Sequence, residues 1–174
     1  MQRIAVDMDE VIADALGELL VRYNRDNGAA LTKADIAGKW LWQALPPGGQ
    51  QQIDAYLQDE KFFEDLPVIA DSQEILRLCS ERYEVFIATA AMAFPNSFGS
   101  KYRWLRRHFP FIKSHNFVFC GDKGILRADY LIDDMPYNLD SFRGEGILFT
   151  APHNLNHTQY RRANSWQDIA EILL

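Results

Sequence analysis

The stretch Arg3-Ile4-Ala5-Val6-Asp7-Met8-Asp9-Glu10-Val11-Ile12-Ala13-Asp14 decides the fold. A short unbroken apolar run enters an acidic pair without any alternation of polar and apolar positions. Continuous apolar character is what a strand covered on both faces requires, as in a parallel sheet. Four further runs of this kind follow, at residues 84–88, 116–120, 130–132 and 146–149. Helical patterns separate several of them. Residues 72–83 place Ile75, Leu76 and Cys79 at helical spacing behind Ser72 as an N-cap. Residues 98–109 place Tyr102, Leu105 and Phe109 on one side, and residues 166–174 close the chain. Strands alternating with helices predict an α/β fold: a Rossmann-like parallel sheet sandwiched by helices.

The segment after the first strand breaks this alternation. Residues 13–67 contain no strong strand but two helical stretches (16–25 and 51–58), a Trp-containing turn (39–42) and the breaker Pro46-Pro47-Gly48-Gly49. A piece this long between core strands is expected to fold on its own over the sheet edge. The predicted organisation is a core of residues 1–12 and 68–174 with a small helical cap, 13–67, inserted after the first strand.

The composition sets limits. The 174 residues carry 18 Lys and Arg against 24 Asp and Glu, a net charge of −6. With no basic run, a nucleic-acid polymer is a poor partner, whereas a small phosphorylated molecule needs only a local cationic pocket. Cys79 and Cys120 lie among apolar residues without metal-ligand spacing, so buried reduced thiols are expected. No stretch reaches the roughly 18 apolar residues of a membrane span, and the first residues do not form a secretory signal, so a cytoplasmic location is expected.

In an open parallel sheet, ligands bind beyond the carboxyl ends of the strands. The first strand run ends in Asp7-Met8-Asp9, the second in Thr89 and the fourth in Asp133-Asp134, while Lys123 follows the third. Four carboxylates gathered at one rim need a cation or must take up protons. Because the candidate ligands are hard oxygens without His or Cys, Mg²⁺ is the expected metal. Thr89 and Lys123 suit phosphate oxygens. Trp40 and Trp42 offer flat faces on which a planar ring can stack, Phe62 and Phe63 form a seam between cap and core, and of the four histidines only His153 falls near the expected site. The pairs Arg106-Arg107 and Arg161-Arg162 read as solvated faces.

The acidic stretch 7–14, then Ile87-Ala88-Thr89, Lys123 and Ala128-Asp129-Tyr130-Leu131-Ile132-Asp133-Asp134 resemble the motif set of haloacid-dehalogenase-like phosphohydrolases. Within that group the chain is most similar to the small bacterial 5'(3')-deoxyribonucleotidases. The likeness extends to Lys61-Phe62-Phe63, Leu66-Pro67, Lys101-Tyr102-Arg103-Trp104, Leu148-Phe149-Thr150-Ala151 with His153-Asn154, and Ser165-Trp166. It implies that Asp7 is the nucleophile, forming an aspartyl-phosphate, and that Asp9 is the acid and base. Mg²⁺ would be held by the Asp7 side chain, the Asp9 carbonyl and the Asp134 side chain, with Asp133 orienting from behind. Thr89, Lys123 and Lys101 would bind the phosphoryl group, and Trp40 and Trp42 would face the base. The implied substrate is a nucleoside monophosphate.

Some positions depart from the family pattern. Glu10 replaces a Gly, implying ordinary backbone there, and Ala15, Leu57 and Ala90 stand where Phe, Trp and Ser are usual. These changes bear on substrate preference rather than chemistry. Three other readings stay open: a phosphatase of another small ester such as a sugar phosphate, a phospho-accepting signalling module, and a non-catalytic binding relative.

Overall fold

The computed structural model describes residues 1–174. Six parallel strands form one sheet: β1 (Arg3–Val6), β2 (Glu84–Thr89), β3 (Phe117–Phe119), β4 (Tyr130–Asp133), β5 (Glu145–Phe149) and β6 (Arg161–Ala163). Their order is β3-β2-β1-β4-β5-β6. The chain therefore builds outward from β1 in one direction and then, from β4, in the other. β1 is paired on both sides, Val6 with Ile87 of β2 and with Ile132 of β4. A crevice at the carboxyl end of β1 follows from this reversal.

Side chains that alternate along each strand go to opposite faces. Ile4 and Val6 join Ile87, Ile132, Ile147 and Phe149 in the larger core, whereas Ala5 joins Ala88, Leu131 and Leu148 in a smaller one. The larger core is covered by α3 (Ser72–Arg82), α4 (Ser97–His108) and α6 (Trp166–Leu173), the smaller by α5 (Pro136–Ser141). Each fully buried Ile or Leu contributes roughly 1.5–3 kcal/mol. No helix is long and apolar enough to cross a membrane.

Residues 15–58 hold α1 (Ala15–Asn27), two 3-10 turns and α2 (Gly49–Gln58), packed around Leu20, Tyr23, Ile36, Leu41 and Ile53. The Asp14 carboxylate caps α1 by accepting from the Gly17 N–H, and Gly28, at φ 59°, ends it in the left-handed conformation. The two chain crossings run side by side: Asp14 N donates to Pro67 O at 2.8 Å, and Ile69 N to Ile12 O at 2.9 Å. Two buried indoles brace this junction, Trp104 Nε1 donating to Leu66 O and Trp166 Nε1 to Val11 O, each at 2.8 Å.

The structure departs from the sequence reading at several points. β6 lies outside the five expected strands, because three residues with two arginines carry no apolar run. Arg162 is accordingly not a solvated side chain: its guanidinium donates to Thr150 Oγ1, Asn154 Oδ1, Asn154 O and His157 O. Arg106 and Arg107 do lie on an exposed face, as expected, with Arg107 reaching Asp65 Oδ1 at 3.1 Å. The N-cap of α3 is Asp71, at φ 64°, and the Ser72 hydroxyl instead donates to Ile69 O. Tyr102 is 43% exposed, so the buried face of α4 is Ser97, Ser100, Lys101, Trp104 and Leu105. Glu10 is not in ordinary backbone. Its φ is +60°, the region that Gly enters without cost, and its side chain offsets the strain by accepting from Leu16 N at 2.6 Å.

Candidate active site

The chain leaves β1 at Val6 and turns sharply, the Met8 carbonyl accepting from the N–H groups of Ile12 and Ala13. This turn sets the Asp7 and Asp9 carboxylates at the crevice, one toward each of two buried lysines. Lys123, 2% exposed, places Nζ 2.6 Å from Asp7 Oδ1 and 2.5 Å from Asp133 Oδ2. Burial alone would pull its pKa down, but Asp7 and Asp133 overcome this and hold it above the usual lysine range. Lys101, reaching in from α4, contacts Asp9 Oδ2 (2.5 Å), Thr89 Oγ1 (3.1 Å) and Ala90 O (3.0 Å), and stands over the Phe63 ring.

The two neighbouring aspartates at the end of β4 differ in what remains available. Both Asp133 oxygens are engaged, accepting from Met135 N, Asn138 Nδ2 and Lys123 Nζ. Burial and the nearby Asp7 push its carboxyl up to about 6 in spite of Lys123. Asp134 has no lysine, only the His153 ring nitrogen, 3.2 Å from Oδ2. Burial, together with Asp7 and Asp133, drives its carboxyl well above the ordinary range. Asp9 is also raised by burial, opposed mainly by Lys101, and its Oδ1 has no protein partner.

These features bear on whether a cation fits. Carboxylate oxygens of Asp7, Asp133 and Asp134 lie within 4.8 Å of one another. Four carboxylates face two ammonium groups, so their full ionisation leaves two negative charges, which a divalent cation would neutralise. The donors are all hard oxygens, and the Asp9 carbonyl accepts no backbone hydrogen bond. This donor set matches Mg²⁺.

Above the carboxylates lies a cavity of about 330 Å³, within the range of roughly 300–1,000 Å³ usual for small-molecule sites. Its walls come from both parts of the chain, with Leu16, Ile53 and Leu57 on one side and Ala90, Phe94 and Lys101 on the other. Ala15, Leu57 and Ala90, the three apolar departures from the family pattern, all line it. So does Ser97, whose buried hydroxyl has no partner within the protein. Nothing in the sequence singled out Ser97; its spacing of four from Lys101 is the only signal that places the two on one helical face.

Trp40 and Trp42 also line the cavity, stacked on each other at 4.8 Å and 9°. The other face of Trp40 lies on His153, at 4.2 Å and 5°. Both faces of Trp40 are therefore covered in this conformation, which leaves Trp42 as the ring with a free face. His108, His115 and His157 lie elsewhere, on the surface or partly buried, and the two cysteines are buried and unpaired.

The family described as "5' nucleotidase, deoxy (Pyrimidine), cytosolic type C protein" matches residues 1–174. The "5'(3')-deoxyribonucleotidase" of Bacillus subtilis is 37% identical over 98% of both chains. A "Putative 5'(3')-deoxyribonucleotidase" of Staphylococcus epidermidis is 43% identical over 97% of this chain and 93% of its own. Among solved structures, a haloacid dehalogenase-like family hydrolase from Streptococcus pneumoniae superposes with a TM-score of 0.62 over 100% of this chain and 99% of its own, at 13% identity. A HAD family hydrolase from Deinococcus radiodurans, solved with bound phosphate and sodium, also gives 0.62, over 99% and 95% at 14% identity. These distant structures share the fold. The full-length match and the closer relatives identify the chain as a member of the 5'(3')-deoxyribonucleotidase family, a phosphoric monoester hydrolase of haloacid dehalogenase-like fold.

Proposed function

We propose that this protein is a Mg²⁺-dependent nucleotidase that releases phosphate from nucleoside monophosphates, deoxyribonucleotides foremost, through an aspartyl-phosphate on Asp7. The observation that carries the reading is the meeting of Asp9, Lys101 and Asp134 in the lining of one apolar cavity, with Asp7 beside Asp134 and paired to Lys123. Residues 13–67 act as a hinged cap over the core, excluding water from that floor.

Asp7 attacks phosphorus through the oxygen not held by Lys123, and the phosphorus–oxygen bond to the sugar breaks. Lys123 aims that carboxylate, and Asp133 holds Lys123 in turn. Asp9, whose raised carboxyl suits an acid, gives its proton to the leaving sugar oxygen. It then takes a proton from the water that hydrolyses the acyl phosphate. Lys101 and Thr89 bind phosphoryl oxygens. Asp7, Asp134 and the Asp9 carbonyl would hold a Mg²⁺ ion, which would supply positive charge to the phosphoryl oxygens. The largely apolar wall favours a nucleobase over a second polar sugar, which sets the sugar-phosphate alternative behind this reading.

The test is turnover with Mg²⁺ on a panel of deoxy- and ribonucleotides, sugar phosphates and an aryl phosphate, with Asp7→Asn as the blank. We expect dUMP or dTMP to exceed the aryl phosphate in kcat/KM by at least about tenfold, the weight of one well-made base contact, and Asp7→Asn to lose nearly all activity. Nucleotides no better than the aryl phosphate overturn the substrate assignment, and an active Asp7→Asn overturns the nucleophile.

A further inference from the structure

His153 touches both Asp134 and the inserted segment. Its ring lies face to face with Trp40, at 4.2 Å and 5°, and Trp40 in turn carries Trp42. Its Nε2 lies 3.2 Å from both the Asp134 carbonyl and Asp134 Oδ2. The carbonyl can only accept, so Nε2 carries the hydrogen and donates to Asp134 O, with Oδ2 at contact distance beside it. The side chain is 7% exposed, too enclosed to relax away from either contact.

The turn bearing His153 is built to stay in place. Asn154 donates from Nδ2 to Asp134 O and Phe149 O, both at 2.8 Å. The Arg162 guanidinium holds Asn154 Oδ1, Asn154 O and His157 O. On the other side of the cleft, Gly38 N donates to Pro152 O at 2.8 Å, and the Trp40 turn is fixed by Gln43 Oε1 accepting from Trp40 N. A rigid turn therefore carries one aromatic ring with the cap on its face and the acidic centre on its edge.

We propose that His153 is a positioning residue that links cap closure to the cation site: its edge orients Asp134 while its face receives Trp40, so the two events favour each other. The inference rests on reading Asp134 as a metal ligand. With Oδ2 held by His153, Oδ1 is the oxygen turned to the cation. Closure of the cap onto the ring restrains the ring and, through it, the carboxylate. Coupling of this kind is reciprocal, so cation binding must tighten the cap to the same extent. Trp40 acts through His153 as a latch.

The ring's two functions separate by substitution. His153→Phe keeps the face and loses the donor; His153→Gln keeps an amide donor and loses the face; Trp40→Ala leaves the His153–Asp134 contact intact. Mg²⁺ affinity is read by calorimetry without substrate, and cap closure by the rate of limited proteolysis within residues 28–50. We expect His153→Phe to weaken Mg²⁺ binding by about tenfold, the lower end for loss of a group that orients a ligand. His153→Gln recovers most of that affinity but leaves the cap open to cleavage. Trp40→Ala, which touches no carboxylate, still lowers Mg²⁺ affinity by a few-fold, and Mg²⁺ no longer slows its proteolysis as it does in the unsubstituted protein. If Trp40→Ala and both His153 variants bind Mg²⁺ as tightly as the unsubstituted protein, the link is refuted while the nucleotidase reading stands. If the unsubstituted protein binds no Mg²⁺, the reading of the site fails first, and the link with it.

Discussion

Replacing Lys123 by Met removes the one cation shared by Asp7 and Asp133 and leaves the rest of the crevice in place. Lys123 and Asp133 are 2% and 0% exposed, and the two contacts are 2.6 and 2.5 Å long, so water has no route to replace the ammonium. Removing one partner from a buried ion pair costs about 3–5 kcal/mol, chiefly because a charge is left stranded. The stranded charge here is Asp133, since Asp7 lies nearer the open cleft. The double variant Lys123→Met with Asp133→Asn eliminates that charge, and the amide oxygen introduced still accepts from Met135 N. It should regain about 1–3 kcal/mol relative to the single variant, the usual coupling between contacting residues. The pH dependence has a definite sign. The folded Asp133 carboxyl, at about 6, lies above its ordinary value of 3.8, so the associated stability is full below 3.8 and lost as pH rises through about 6. Without Lys123, which lowers it, the loss extends to higher pH, and the single variant's deficit should shrink between about pH 8 and about pH 5. Urea unfolding in EDTA, followed by tryptophan fluorescence, measures all of this. A deficit below about 1 kcal/mol for Lys123→Met, or a double variant whose loss is the sum of the singles, refutes the argument.

Two further outcomes follow from local geometry. A Cβ added at Gly144 would lie 2.5 Å from Asp129 O and 2.8 Å from Ala128 O, backbone atoms that cannot swing away. Gly144→Ala should therefore cost about 1–3 kcal/mol and lower Tm by roughly 2–12 °C, and an unchanged melting curve contradicts the packing described. Burial, relieved in part by Lys33, pushes the Glu10 carboxyl to about 8 from 4.5. Its ionisation thus costs stability progressively as pH rises from 4.5 through about 8, and Glu10→Gln should gain over the unsubstituted protein at about pH 9 but hardly at about pH 5. Thermal melts in EDTA that show the same difference at both values remove Glu10 from this account.

Much of this protein is legible in one dimension because strands buried on both faces write themselves as unbroken apolar runs. Such runs mark five of the six strands, and because ligands gather at carboxyl ends the sequence alone points to Asp7, Asp9, Thr89, Lys123 and Asp133-Asp134. β6 carries no apolar run because its three residues are two arginines and one alanine, of which only Ala163 enters the core. What order along the chain could not decide was which groups face one another. The division of labour between adjacent Asp133 and Asp134 depends on Asn138 and Lys123 saturating the first and on only His153 meeting the second. The left-handed turn at Glu10 is tolerated because Leu16 N reaches its carboxylate across six residues. Trp40, an aromatic that suggested a platform for a base, is covered on one side by its near neighbour Trp42 and on the other by His153, remote in the chain. Local hydrophobic pattern and turn chemistry act over a few residues and are written in the sequence. Pairing of charges and rings depends on distances set only when the sheet order brings remote strand ends together, and that was left to the tertiary structure.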